Sequence, residues 1–177
     1  MTELATVGGG CYWCLEAIYK RIRGVESVHS GYSGGNVDNP TINQIYTGTT
    51  GHAECVQVTF DPDVISYREI LEIFYVMHNP TTLNKQDYDE GKIYRSIIFY
   101  DGATQQKIAE EMTNGFAKNL WPDPVLTQLV PFEKFWPADK DMQNFYENNP
   151  YVGYCQVIIN PKIQKLRQKF AGKLKSE

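Results

Sequence analysis

The chain is predicted to fold as α+β: a two-layer ferredoxin-like sandwich with a mixed sheet, helices on one side, and a long loop-rich C-terminal segment. Three observations carry this. Hydrophobic periodicity gives the order strand, helix, strand twice over, which is the split unit of such sandwiches. The two halves meet without an obvious linker, repeat or low-complexity tract, so residues 1–177 read as a single domain. Beyond Pro131, segments such as WPADKD and ENNPYVGYC are rich in prolines, polar residues and turn formers, so the last third should wrap the core as loops and short helices.

Taken in order, Leu4 to Val7 reads as a short strand running into Gly8, Gly9 and Gly10. From Cys11 the pattern turns helical: Leu15, Ile18, Tyr19 and Ile22 recur at three and four, Glu16 and Lys20 can pair on the outer face, and Gly24 ends the helix. Val25 to Tyr32 is extended, and GYSGGNVDNP is loop. Ala53 to Phe60 is a strand whose alternation puts Glu54, Val56, Val58 and Phe60 on one face and Cys55 on the other, as a buried structural thiol. Ser66 with Glu69 spells a capping box, opening a helix that carries Ile70, Ile73, Phe74 and Met77 on one side. Tyr94 to Tyr100 is the next strand, followed by a helix over 103–118 and a strand over 125–130.

Composition narrows the function classes. Hydrophobic residues make up 42% and charged residues 21% of the 177, which suits one globular domain with a sizeable core. A formal charge of −4 argues against general nucleic-acid binding, and the basic run from Lys162 to Lys173 alternates with apolar residues as a solvated helix face would. No apolar run is long enough to span a bilayer, so no membrane partner is expected. The opening MTELATVGGG has neither a basic region nor an apolar core for export, and the expected location is cytoplasmic. Four cysteines, Cys11, Cys14, Cys55 and Cys155, are too sparse for a secreted disulfide framework.

The stretch GGGCYWC asks why so much backbone freedom precedes a thiol. A strand that turns into a helix within three residues needs angles that glycine supplies cheaply. Cys11 then falls in the helix's first turn, where unpaired amides and the helix dipole favour its thiolate. Core packing is the plain alternative, since Cys11 lies four residues before Leu15. Cys14 gains less from the dipole and also suits packing, or a redox pair with Cys11. Zinc lacks a second cysteine pair, and His29, His52 and His78 are scattered, so no metal and no cofactor is expected. Glu54, on an apolar strand face, would hold its proton to higher pH and serve as a general acid, or else reach water at the strand end. Cys155 sits on a segment whose proline and glycine should keep it out of regular structure, either free to swing towards another sulfur or a harmless surface cysteine. Tyr12 and Trp13 beside the thiol suit core packing, the commoner fate of such residues.

Several spaced blocks, GGCYWC, SGYSGG, GTTGHAECVQVTFDP, PTTLN, YRSIIFY and GYC, resemble the class A peptide methionine sulfoxide reductases over nearly the whole chain. The resemblance implies reduction of methionine S-sulfoxide, free or in proteins, in protein repair, with thioredoxin returning the electrons. It implies Cys11 as nucleophile, Glu54 as proton donor, Asp89 and Tyr94 in support, Tyr12 and Trp13 around the substrate methyl, and Cys155 as the resolving thiol. A monomer is expected. Departures from the pattern are Ile42 where a tyrosine hydroxyl is usual, QDYDEGKIYRS for QGNDxGTQYRS, Met142 for a histidine, and Cys14 for a glycine. Cys14 is the alternative resolver, although side chains three apart in a regular helix are awkwardly placed for a disulfide. A thioredoxin-like disulfide exchanger on Cys11 and Cys14 and a non-catalytic binding module are the competing readings.

Overall fold

The computed structural model describes residues 1–176. The fold is α+β around a mixed sheet. In chain order it has β1 (Glu3–Gly8), α1 (Tyr12–Tyr19), β2 (Val25–Ser33), α2 (Ile42–Tyr46), β3 (Ala53–Phe60) and α3 (Tyr67–Met77). A ribbon of β4 (Lys85–Gln86) and β5 (Asp89–Glu90) follows, then β6 (Ile97–Tyr100), α4 (Gly102–Glu111), α5 (Lys118–Leu120), β7 (Gln128–Pro131), β8 (Trp136–Pro137), α6 (Phe145–Asn148) and α7 (Asn160–Lys169).

The large sheet runs β7-β6-β1-β3-β2-β8. Every neighbouring pair is antiparallel except β6 and β7, which run parallel and make the sheet mixed. β3 is central: Val58 faces Ala5 on one neighbour and Val28 on the other. On one face of the sheet, Val7, Val56, Val58 and Phe60 pack with Leu15 and Ile18 of α1 and Ile70 and Phe74 of α3 in one buried cluster. Each large apolar side chain so covered contributes about 1.5–3 kcal/mol. Ala53, Cys55, Ile97 and Phe99 form a second cluster, covered by Phe132 and Phe135. Cys55 therefore lies opposite Glu54, as alternation requires, and burial pushes its thiol up to about 12.

The capping box forms at α3: Glu69 N–H donates to Ser66 Oγ at 3.1 Å and Ser66 N–H to Glu69 Oε1 at 3.3 Å. Other boundaries moved. The strand expected from Tyr94 starts at Ile97, because Lys92–Tyr94 is a tight 3₁₀ turn and the Arg95 guanidinium is tied to the carbonyls of Lys92 and Gly51, both at 2.9 Å. The helix expected over 103–118 widens into a π turn at Met112–Ala117. The strand expected from 125 begins at Gln128.

Two charged residues assigned to solvent are inside. Glu16 is 1% exposed rather than paired on an outer face. Burial raises its carboxyl, against the opposing pull of Lys20 and the amides of Asn144 and Phe145. Lys162 opens the basic run on α7, where Ile163 and Leu166 are buried as the alternation predicts. Its side chain, though, is only 14% exposed and its Nζ meets Asp87 Oδ2 at 2.7 Å.

Candidate active site

The glycines ahead of Cys11 do two jobs. A Cβ on Gly8 would stand 2.5 Å from the carbonyl oxygen of Glu54, so glycine lets β1 press against the backbone of the acid. Gly10 takes φ +85°, the left-handed region, and turns the chain out of the strand. Its N–H donates to the Tyr94 carbonyl at 3.1 Å, which draws the Tyr94 turn onto the same spot. Cys11 is the N-cap of α1, with extended angles of φ −69° and ψ 131°, one position ahead of the first turn expected.

That placement was expected to lower the thiol's pKa. It is instead raised well above the ordinary range, first by burial and then by Glu54, while the Trp13 amide pulls it down. With Cys11 only 8% exposed, desolvation of a thiolate outweighs the dipole of an eight-residue helix. At rest the Cys11 thiol keeps its proton.

Glu54 lies beside it, 2% exposed on the apolar face of β3, with Oε1 accepting the N–H of Tyr12 at 3.1 Å. Burial lifts its carboxyl to about 8, against the Tyr12 amide and with Asp89 adding to the rise. Around neutrality it is a neutral acid. Asp89 at the ribbon and Tyr94 in the 3₁₀ turn converge on the same place: Asp89 acts on Cys11 and Glu54, and the Tyr94 phenol is held up first by burial and then by Glu54, Asp89 and Cys11.

Tyr46 was not anticipated. Its phenol pKa is raised by burial and then by Glu54, Cys11 and Asp89, so this exposed residue lies within electrostatic reach of the thiol and the acid. It ends α2, which Ile42 begins, and residues four apart share a helix face. The sequence signal was therefore available: a tyrosine one turn beyond the position whose hydroxyl is missing.

Tyr12 and Trp13 have different fates. Tyr12 is buried, and its hydroxyl hydrogen-bonds that of Tyr32 at 2.7 Å. Trp13 stacks flat against Phe145, with centroids 3.5 Å apart, and meets Tyr154 edge-on at 5.6 Å. The C-terminal segment thus lies against the wall expected to meet substrate. A cavity of about 260 Å³ on the other side of the sheet, between Arg95, Phe99 and Trp136, does not include Cys11.

Cys155 is not on a free segment. It is 0% exposed and starts a π-helical turn, Cys155–Ile159, that runs into α7, because Ile158 and Ile159 bury this stretch in the core. The residue before it is the one that reaches the site. Tyr154 Oη donates to Asp89 Oδ2 at 2.6 Å and lies 3.5 Å from Cys14 Sγ. All four thiols are free. Among the described residues, no group of three or more His, Cys, Asp or Glu side chains could hold a metal, and no helix is long and apolar enough to cross a membrane.

A thiol, a buried neutral acid and phenols brought to one point can accept an oxygen atom on sulfur while supplying the proton that releases it. Such a site is that of a sulfur oxidoreductase. The chain belongs to the peptide methionine sulfoxide reductase family, whose model matches residues 3–174. It is 53% identical over 173 residues to the peptide methionine sulfoxide reductase MsrA of Saccharolobus solfataricus, covering 98% of this chain and 97% of that protein. Among solved structures it resembles reduced Mxr1 of Saccharomyces cerevisiae, at TM-score 0.76 and 29% identity, over 87% of this chain and 89% of that one. Mxr1 in complex with Trx2 matches at TM-score 0.53 and 25% identity, over 81% and 84% of the two chains.

Proposed function

We propose that this enzyme reduces methionine S-sulfoxide, free or in proteins, to methionine, and so repairs oxidised proteins. One observation carries the chemical part: Cys11 caps the helix whose next residue, Tyr12, donates its amide to the buried Glu54. Glu54 gives its proton to the sulfoxide oxygen, with Tyr94 and Tyr46 as further donors and Asp89 in support. The Cys11 sulfur attacks the substrate sulfur and passes its own proton to the vacated carboxylate. The protonated oxygen then passes to the Cys11 sulfur as the substrate S–O bond and the transient S–S bond break, so methionine leaves reduced by two electrons and Cys11 becomes a sulfenic acid oxidised by two. Trp13 and the buried Tyr12 form the apolar side against which the substrate methyl sits.

A second thiol, Cys14 or Cys155, then condenses with the sulfenic acid, and a dithiol protein restores both thiols. The complex of Mxr1 with Trx2 supports thioredoxin as that reductant. The strand order, with α1 and α3 in the cluster against one face, supports a ferredoxin-like sandwich wrapped by its C-terminal segment. The reading also takes the chain to act as one domain and as a cytoplasmic monomer.

Separated R and S sulfoxide epimers of a methionine peptide test this when given to the reduced protein and followed by mass. Loss of oxygen from the S epimer alone, abolished by Cys11→Ser, is the expected result. Equal reduction of both epimers, or activity surviving Cys11→Ser, overturns the reading.

A further inference from the structure

The resolving thiol can be chosen on structural grounds, and the choice goes against the C-terminal cysteine. It rests on the reaction above, since it concerns the sulfenic acid that the reaction leaves on Cys11.

The objection to Cys14 was that side chains three apart in a regular helix are badly set for a disulfide. Cys11 is not in the regular helix. It is the N-cap, with extended backbone, and Cys14 is the third helical residue, its N–H donating to the Cys11 carbonyl at 3.1 Å. Side chains at these two positions turn towards each other, which is why a capping box can close there. The chain does close one in α2 and another in α3, with Thr41 and Gln44 and with Ser66 and Glu69. The Cys11–Cys14 pair occupies the same two places.

Cys14 also has a prepared environment. Its Sγ lies 3.5 Å from Tyr154 Oη, which is anchored on Asp89 at 2.6 Å. Burial lifts the thiol to about 11, and the Lys162 ammonium is the largest opposing influence, with Asp87 and Asp89 acting the other way. Because the Tyr154 proton is on Asp89, Tyr154 accepts the Cys14 S–H and orients the sulfur. Lys162 is held by Asp87, the residue that stands where the family pattern has glycine, at φ +54°. Cys155 has no comparable arrangement: it is fully buried in its π turn, and the charge that acts on it is Glu147.

We infer that Cys14 is the thiol that resolves the Cys11 sulfenic acid, and that Lys162 and Tyr154 are positioning residues that ready it. The Cys14 sulfur attacks the Cys11 sulfur, the S–S bond forms as the S–O bond breaks, and hydroxide leaves as water with the proton that Cys14 gives up. The two electrons that Cys14 gives up reduce the sulfenic sulfur of Cys11 to the disulfide level, so no further oxidant enters. Thioredoxin-class dithiols then reopen the disulfide.

The test gives the reduced wild-type protein one equivalent of an S-sulfoxide peptide without reductant, then maps disulfides in a non-reducing tryptic digest. Cys11 and Cys14 share the peptide Met1–Lys20, whereas Cys155 lies in Asp141–Lys162. The expected product is Met1–Lys20 lacking two hydrogens, with Cys14→Ser giving one equivalent of methionine and a Cys11 sulfenic acid that a dimedone-type reagent traps. Lys162→Met should slow disulfide closure by about three- to tenfold and move its pH profile upward, leaving methionine release in the first turnover in place. A link from Met1–Lys20 to Asp141–Lys162 overturns the assignment while leaving the reductase reading intact. Failure to release methionine at all overturns both.

Discussion

The backbone N–H of Tyr12 donates to Oε1 of Glu54 at 3.1 Å, so the residue after Cys11 holds the Glu54 carboxyl in register with the thiol. An amide on Oε1 favours the carboxyl proton on Oε2, the oxygen left to meet a substrate. The strand and the helix are thereby locked at the point where Cys11 and Glu54 meet.

Glu54 must be neutral to donate, and its carboxyl is lifted from the ordinary 4.5 to about 8. First-turnover reduction is therefore expected to fall as pH rises through about 8. Glu54→Gln should lower the rate by about 10²–10⁴-fold and abolish that alkaline limb, measured by rapid quench. The folded state binds the extra proton between 4.5 and 8, so this group makes stability fall as pH climbs across that window. Denaturation of the variant should show a flatter dependence there.

Gly10→Ala adds a Cβ in a backbone region that costs an L-residue about 1–2 kcal/mol, and that atom would meet Gln86 Cγ at 2.7 Å. Gln86 cannot easily yield, because its amide makes two hydrogen bonds to the Asn79 backbone, at 3.1 and 2.9 Å. The displaced Cys11 should lose first-turnover activity along with stability. Gly48→Ala is the comparison: φ is +73° but nothing lies within 4 Å of the new atom, so only thermal stability should drop.

Tyr46→Phe removes a hydroxyl from a residue 56% exposed, so the fold should hold. If its phenol meets the sulfoxide oxygen, kcat should fall by up to about 10²-fold. Ile42→Tyr in the same background should restore part of the loss, because both positions lie on one face of α2. An unchanged kcat in Tyr46→Phe would remove this residue from the reaction.

Much of the site was legible because it depends on local rules. Alternation along Ala53–Phe60 is enough to put Glu54 with Val56 and Val58, and burial on that face is enough to raise its pKa. The capping box at Ser66 needs only four consecutive residues. The pKa of Cys11 was misread for a complementary reason: the helix dipole is visible in sequence, but the desolvation that outweighs it comes from chain remote in sequence. Cys155 was misread in the same way, since proline and glycine are local signals, while the burial of Ile158 and Ile159 that stiffens the turn is not.

By itself the amino-acid order determined the element types, the face that Glu54 shares, the thiol at a helix start and the family to which these blocks belong. Only the tertiary structure decided which charges are inside, which aromatic covers Trp13 and which sulfur stands next to Cys11 in a prepared setting. Periodicity and caps are written within a few residues. By contrast, Lys162 reaches Asp87, and Tyr154 reaches Asp89 and Cys14, across 65 to 140 positions of chain, and such meetings exist only once the sheet has brought the ends together.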